Sequence, residues 1–173
     1  MKRIFTMLTT LLVMAAATAQ TLNVVVGNVT YAVPADQAGE MTYGDDGTTL
    51  TILNKVLAID DIDQIYIDES TVTDSQVTVT YDGTSATVVI AGDIMQWVDA
   101  EVEGAHVSVT QSSDVSADNV GATDAGEITY TLTGSSSDGE FYLSGSYKCT
   151  VELNGLTLTN VTPVYSGAAV HIQ

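Results

Sequence analysis

Basic residues are scarce in this chain of 173 residues. Lysine and arginine together number four, against 22 aspartates and glutamates, which gives a formal net charge of −18. Proteins bind nucleic acids and anionic lipid surfaces chiefly through lysine and arginine, and a surface of the opposite sign repels both. The sequence therefore excludes roles in nucleic-acid binding and at membrane surfaces.

Cysteine, histidine and proline are also rare. Cys149 is the single cysteine, so an internal disulfide is excluded, and stability has to come from burial and backbone pairing. One cysteine and two distant histidines do not make a zinc ligand set. With two prolines and a composition rich in Val, Thr, Tyr and Gly, the chain favours strands and turns over helices.

The amino terminus has the features of a secretory signal peptide. Lys2 and Arg3 precede an apolar stretch from Ile4 to Ala17, and Ala17-Thr18-Ala19 forms a small-residue cleavage site. The stretch is too short to span a bilayer, so we predict export without membrane insertion, with residues 1–19 removed. Two lysines then remain against 22 acidic residues, a net charge of −20. We expect the product to be secreted, periplasmic or on the cell surface.

Short strands with alternating apolar residues, separated by Gly, Asn and Asp turns, predict an all-β protein. Residues 20–70 read as a small β module, and residues 71–173 have longer, more regular strands, with Asp82-Gly83 as a favoured hairpin turn. Both a β-sandwich and a parallel β-helix fit this pattern. Because Gln173 lies in a strand-like run with no closing cap, we expect a truncated product.

Residues 71–173 resemble a known family. The resemblance rests on four segments: Gly126–Gly134, Asp138–Tyr147, Leu153–Asn160 and Ser166–Gln173. They look like the opening of carbohydrate-binding-domain proteins of Bacteroides-type gut bacteria, which are similar to a clostridial acidic-polysaccharide-binding protein. The resemblance implies the first coils of a right-handed parallel β-helix of the pectate-lyase kind. It also implies Ca²⁺-assisted, non-hydrolytic binding of acidic sugars such as polygalacturonate.

One acidic cluster is a candidate metal site. Asp99, Glu101 and Glu103 alternate along a predicted strand, which projects them from one face about 6.6 Å apart. Ca²⁺ takes six to eight oxygen ligands, so carboxylates at this spacing could contribute to such a site with oxygens from a neighbouring strand. The alternative is a solvated strand face that keeps an edge soluble.

Two aromatic residues are candidates for sugar stacking. Tyr142 lies between Phe141 and Leu143, whose side chains should point the other way, and Trp97 is the single tryptophan. For each residue the alternative is a partly buried packing role.

The leading hypothesis is therefore an exported, non-catalytic protein that binds acidic polysaccharide through bridging Ca²⁺. The predicted mature chain has no arginine to serve as the base of an acid-sugar lyase, and no G-x-S-x-G nucleophile motif is present, so we predict that it is not an enzyme. The alternative is a surface structural or adhesion protein without sugar specificity. The third hypothesis is a fragmentary, lyase-like enzyme.

Overall fold

The computed structural model describes residues 20–39, 41–118, 120 and 126–173. The predicted signal peptide, residues 1–19, lies outside the described residues. In the described part of the chain, regular structure consists of strands and a short 3-10 turn at Ile59–Asp61. No helix in that part is long and apolar enough to cross a membrane.

The strands form three sheets. In chain order they are β1 (Thr21–Val26), β2 (Val29–Pro34), β3 (Thr42–Tyr43), β4 (Thr49–Ile52), β5 (Lys55–Ala58), β6 (Gln64–Asp68), β7 (Gln76–Asp82), β8 (Ser85–Ala91), β9 (Val98–Glu103), β10 (His106–Gln111), β11 (Ile128–Ser136), β12 (Glu140–Ser144), β13 (Cys149–Leu158) and β14 (Val170–Ile172). One sheet has seven strands in the order β13-β11-β7-β8-β2-β1-β6. A second has the order β14-β12-β10-β9, and a small third sheet the order β3-β4-β5.

The all-β prediction is confirmed, and the two predicted modules share one sheet. Strand β2, from the first module, pairs in parallel with β8, from the second. The predicted turn at Asp82-Gly83 joins β7 to β8, where Asp82 lies opposite Ser85 and Gly83 has the positive φ that such turns require.

The second half of the chain alternates between the two larger sheets. Strands β7, β11 and β13 are parallel neighbours in the seven-stranded sheet. Strands β10, β12 and β14 are parallel neighbours in the four-stranded sheet. The chain therefore passes from one sheet to the other and returns one strand further along each time.

The core lies between these two sheets. Tyr130 of β11 and Phe141 of β12 are both fully buried, and their ring centroids are 6.2 Å apart. The Tyr130 hydroxyl accepts a hydrogen bond from the Gln111 side-chain amide at 3.0 Å. The Tyr81 hydroxyl donates to the backbone oxygen of Glu140, also at 3.0 Å. Each buried hydroxyl thus has a hydrogen-bond partner, which offsets the free-energy cost of removing the hydroxyl from water.

Burial of these tyrosines predicts unfolding at alkaline pH. Burial, with a smaller contribution from the nearby carboxylate of Asp99, raises the pKa of Tyr31 to about 12, and burial also raises the pKa values of Tyr81 and Tyr130. A raised folded-state pKa stabilises the fold below the ordinary tyrosine pKa of about 10, and that contribution is lost as the pH rises through the folded value. We expect tyrosinate absorbance and loss of the circular dichroism signal to develop together above about pH 10. Full ionisation of all tyrosines with the fold intact would contradict this.

Strand β13 corrects one local prediction. The sequence pattern predicts separate strands over Tyr147–Leu153 and Leu156–Asn160, but a single strand, β13 (Cys149–Leu158), takes in most of both segments and pairs with β11. The pairing register shifts between Thr133 and Ser135 of β11, so Gly155, with φ +68°, lies in a bulge and not in a turn.

Candidate functional site

The outer face of the four-stranded sheet carries a row of side chains contributed by all four strands. Glu101 of β9 lies opposite Ser108 of β10, Ser108 lies beside Tyr142 of β12, and Tyr142 lies beside His171 of β14. Because the residues flanking Ser108 and Tyr142 in their strands are buried, these side chains point away from the core. The predicted outward orientation of Tyr142 agrees with this register.

Three aromatic side chains stack on this face. The Tyr142 ring is 5.3 Å from the His171 ring with an interplanar angle of 16°, and 6.1 Å from the Tyr165 ring with an angle of 25°. All three residues are half-buried. The Tyr142 hydroxyl forms a hydrogen bond of 2.9 Å with the side-chain oxygen of Gln173. We call Tyr142, Tyr165 and His171 the aromatic stack.

Tyr165 reaches this face on the loop between β13 and β14, and two acidic residues hold that loop. The Asp138 carboxylate accepts hydrogen bonds from the backbone N–H groups of Val161 and Thr162, at 2.9 and 2.8 Å. The Glu140 carboxylate accepts hydrogen bonds from four successive backbone N–H groups, those of residues 164–167. It also accepts one from the Ser166 hydroxyl at 2.7 Å. These bonds fix the backbone on both sides of Tyr165.

The hydrogen bonds also keep Glu140 ionised inside the protein. Its side chain is fully buried, with no exposed surface. Burial alone would raise the pKa of Glu140, but the hydrogen bonds from Ser166 and the loop backbone outweigh it and lower the pKa to about 2. Hydrogen bonding from Thr162 and Val161 likewise lowers the pKa of Asp138. The loop is thus held by two carboxylates, both charged at neutral pH.

His106 lies between the same two carboxylates. Its Nδ1 is 3.6 Å from Glu140 Oε2, and its Nε2 is 3.9 Å from Asp138 Oδ1. Nδ1 is buried and makes no hydrogen bond. The two carboxylates approach opposite nitrogens of the ring, so the three groups do not converge on one point as the ligands of a single metal ion would.

The acidic residues predicted as metal ligands lie on β9. Asp99, Glu101 and Glu103 are all exposed on one strand face, as the alternation predicts. Asp99, however, forms a salt bridge with Lys55, whose Nζ also lies 5.3 Å from the centre of the Tyr31 ring. Among the described residues, no group of three histidines, cysteines or acidic residues is arranged to hold a metal ion.

Glu101 and Glu103 lie close enough to the aromatic stack to affect it. Burial raises the pKa of Tyr165, and the negative charges of Glu101 and Glu103 raise it further. The stack has a carboxylate border on its β9 side, where Glu101 lies two strands from Tyr142 in register, with Ser108 between them.

Trp97 lies away from this row. It is in the turn that precedes β9, is half-buried and packs against the core. Its carbonyl oxygen accepts a hydrogen bond of 2.7 Å from the backbone N–H of Ser112. Trp97 precedes Glu101 by four positions, so the two predicted sugar-binding residues, Trp97 and Tyr142, do not occupy the same part of the sheet.

Sequence reasoning identified Tyr142 but missed its partners. Tyr165 lies in a loop with no strand periodicity, and its position depends on Glu140, which is 25 residues earlier. His171 could have been paired with Tyr142 had the parallel alignment of β12 with β14 been anticipated, because that register places the two residues side by side.

The geometry offers ring surfaces, a tyrosine hydroxyl and a carboxylate border for binding a ligand. Comparison with protein-family models, curated proteins and solved structures finds no match to this chain. The resemblance to carbohydrate-binding-domain proteins stays a prediction, and function has to be argued from the residues of this surface.

Proposed function

We propose that this chain is an exported, non-catalytic carbohydrate-binding protein that contacts sugar through the aromatic stack. The observation that carries the proposal is the stack itself, three half-buried rings held side by side on an outer sheet face. Aromatic side chains combine an apolar surface with a polar tip, which suits the mixed faces of a sugar ring. The loop hydrogen bonds to Glu140 hold Tyr165 in place before any ligand arrives, which lowers the entropic cost of binding.

We further propose that the ligand is an acidic polysaccharide such as polygalacturonate, bridged by Ca²⁺. A chain with 22 acidic residues repels a polyanion unless a cation lies between them. Glu101 and Glu103 are the carboxylates that border the stack, and we assign them as the protein's contribution to the bridge. The remaining Ca²⁺ ligands would be water and sugar oxygens, which Ca²⁺ accepts readily. Asp99 is left out of this assignment because of its salt bridge with Lys55.

A parallel β-helix is the architecture we propose for the second half of the chain, with a β-sandwich as the alternative. Two ladders of parallel strands, β7-β11-β13 and β10-β12-β14, support the β-helix, because a sandwich is built mainly from antiparallel strands. The antiparallel pairs β7-β8 and β9-β10 are the feature that a sandwich would share.

The first test is retention on immobilised polygalacturonate with millimolar Ca²⁺ and with a chelator. We expect the chain beginning at Gln20 to be retained with Ca²⁺ and released by the chelator. Tyr142→Ala should weaken retention about fivefold, because an aromatic contact contributes about 1 kcal/mol. Glu101→Gln combined with Glu103→Gln should reduce the dependence on Ca²⁺.

Tyr43→Ala is the matched control, because Tyr43 is 41% exposed on β3 of the small sheet. Equal retention of the Tyr142→Ala and Tyr43→Ala variants would contradict a role for the stack. Retention on an uncharged glucan that is indifferent to chelator would overturn the Ca²⁺ bridge while keeping carbohydrate binding. No retention on either polysaccharide would favour the structural or adhesion alternative.

A further inference from the structure

Strand β6 forms one edge of the seven-stranded sheet, opposite the edge formed by β13. It pairs with β1, antiparallel from Gln64 to Asp68, and within the described part of the chain no strand pairs with its other side. Backbone N–H and C=O groups on that side are therefore available to an added strand. We call this side of β6 the open edge (Gln64–Asp68).

The core-facing residues of the open edge are only partly covered. Ile65 and Ile67 alternate along β6 and pack against the core, but both are half-buried. Their neighbours in register on β1, Val24 and Leu22, are 0% and 3% exposed. Strand β1 has a strand on each side, whereas β6 has one, which accounts for the difference in burial. Apolar side chains on an added strand would cover the two isoleucines and remove their exposed surface from water.

Acidic residues flank both ends of the open edge. Five of the ten residues from 60 to 69 are acidic, and no lysine or arginine lies anywhere between residues 56 and 147. The five are Asp60, Asp61, Asp63, Asp68 and Glu69. Like charges hinder pairing between two copies of the same edge, so a second copy is not the occupant that this edge favours. The same charges attract a strand of opposite sign, because complementary charge speeds encounter and disfavours other partners.

We propose that the open edge binds an extended, basic segment of a partner protein by strand addition. In this mode of recognition, backbone hydrogen bonds supply affinity and alternate side chains supply specificity. The segment therefore alternates apolar residues, which lie over Ile65 and Ile67, with lysine or arginine on the other face, beside Tyr66 and Asp68. This inference stands apart from the proposed sugar binding, because the aromatic stack lies on the four-stranded sheet.

Fluorescence anisotropy at physiological salt tests strand addition, using the chain that begins at Gln20. The probe is a labelled nonapeptide in which lysine and valine alternate, and we expect it to bind saturably. A peptide with proline in place of valine keeps the charge but cannot pair as a strand, and one with glutamate in place of lysine keeps the strand pattern but reverses the charge. Each should bind at least about tenfold more weakly. Absence of saturable binding by the lysine-valine peptide would overturn the proposal, and so would equal binding of the proline peptide.

Charge reversal on the protein tests whether the peptide binds at the open edge. Asp61 and Glu69 lie before and after β6, and both are exposed. Asp61→Lys combined with Glu69→Lys should raise the dissociation constant of the lysine-valine peptide at least about tenfold. The matched control is Asp82→Lys combined with Asp118→Lys, at two exposed residues outside β6 and its flanking turns. This control changes the net charge equally and should leave the dissociation constant within about twofold, because salt screens distant charges. Circular dichroism should show both variants folded. Equal weakening by the two double variants would overturn the proposal, since binding would then follow net charge and not the open edge.

Discussion

Replacing Glu140 by glutamine is expected to lower the free energy of unfolding by about 3 kcal/mol at neutral pH. The charged carboxylate accepts four backbone N–H groups and the Ser166 hydroxyl, and these bonds lower its pKa from 4.5 to about 2. That difference corresponds to about 3 kcal/mol of preference for the charged form in the folded protein. Glutamine has no charge and turns an N–H₂ group towards these donors. Urea unfolding at pH 7 measures the loss.

The pH dependence separates this effect from a general packing defect. A depressed folded-state pKa stabilises the protein above the ordinary value of 4.5, and this contribution is lost as the pH falls to about 2. The difference between wild type and Glu140→Gln should therefore shrink over that range. Glu69→Gln, at an exposed residue, is the control and should change stability by less than about 0.5 kcal/mol. A Glu140→Gln deficit that stays constant from pH 7 to pH 2.5 would contradict the electrostatic explanation.

The same substitution connects stability to the proposed site. The loop that Glu140 holds also positions Tyr165 against Tyr142. If the stack binds sugar, Glu140→Gln should also weaken retention under conditions where the variant is still folded. Glu140 is in that case a positioning residue, since it is fully buried and acts through the loop.

Replacing Gly134 by alanine is expected to lower the free energy of unfolding by about 2–5 kcal/mol. A Cβ at this position would lie 2.1 Å from the backbone oxygen of Tyr81 on the neighbouring strand β7. Backbone cannot move aside as a flexible side chain can, so β11 and β7 would have to separate there. Overpacking of this kind costs about 1–3 kcal/mol, and the positive φ of +86° adds about 1–2 kcal/mol for a residue with a Cβ. Chemical denaturation is the measurement.

Gly155→Ala is the matched control for this clash. Gly155 also has a positive φ, +68°, but a Cβ there would have nothing within 4 Å. Gly155→Ala should therefore lower the free energy of unfolding only by the cost of the positive φ, about 1–2 kcal/mol. If the two alanine variants lost the same stability, close approach of β7 would not be the reason that glycine occupies position 134.

Much of the local structure could be predicted from the sequence. Strand β9 is an example, because alternation predicted that Asp99, Glu101 and Glu103 share one strand face, and all three are exposed while the residues that alternate with them are buried or half-buried. Gly155 shows the limit of this reasoning, because glycine marks both turns and bulges. Pairing with β11 decided that Gly155 belongs to a bulge.

The candidate site could be predicted from the sequence only in part. Asp99 shares a strand face with Glu101 and Glu103, but Lys55, 44 residues earlier, reaches it from the small sheet. In the sequence, nothing distinguishes Glu140 from the other acidic residues that lie near turns. Its complete burial depends on the loop of residues 164–167 folding over it.

By itself the sequence determined the strand character, the excess of negative charge and the face of its strand on which each side chain lies. These are local properties, since they follow from residue type and from an alternation with a period of two. The tertiary structure decided which strands pair, that Tyr165 and His171 both stack on Tyr142, and that Glu140 is buried and ionised. Those outcomes depend on contacts between residues distant in the chain, and an alternating pattern does not specify which strand pairs with which.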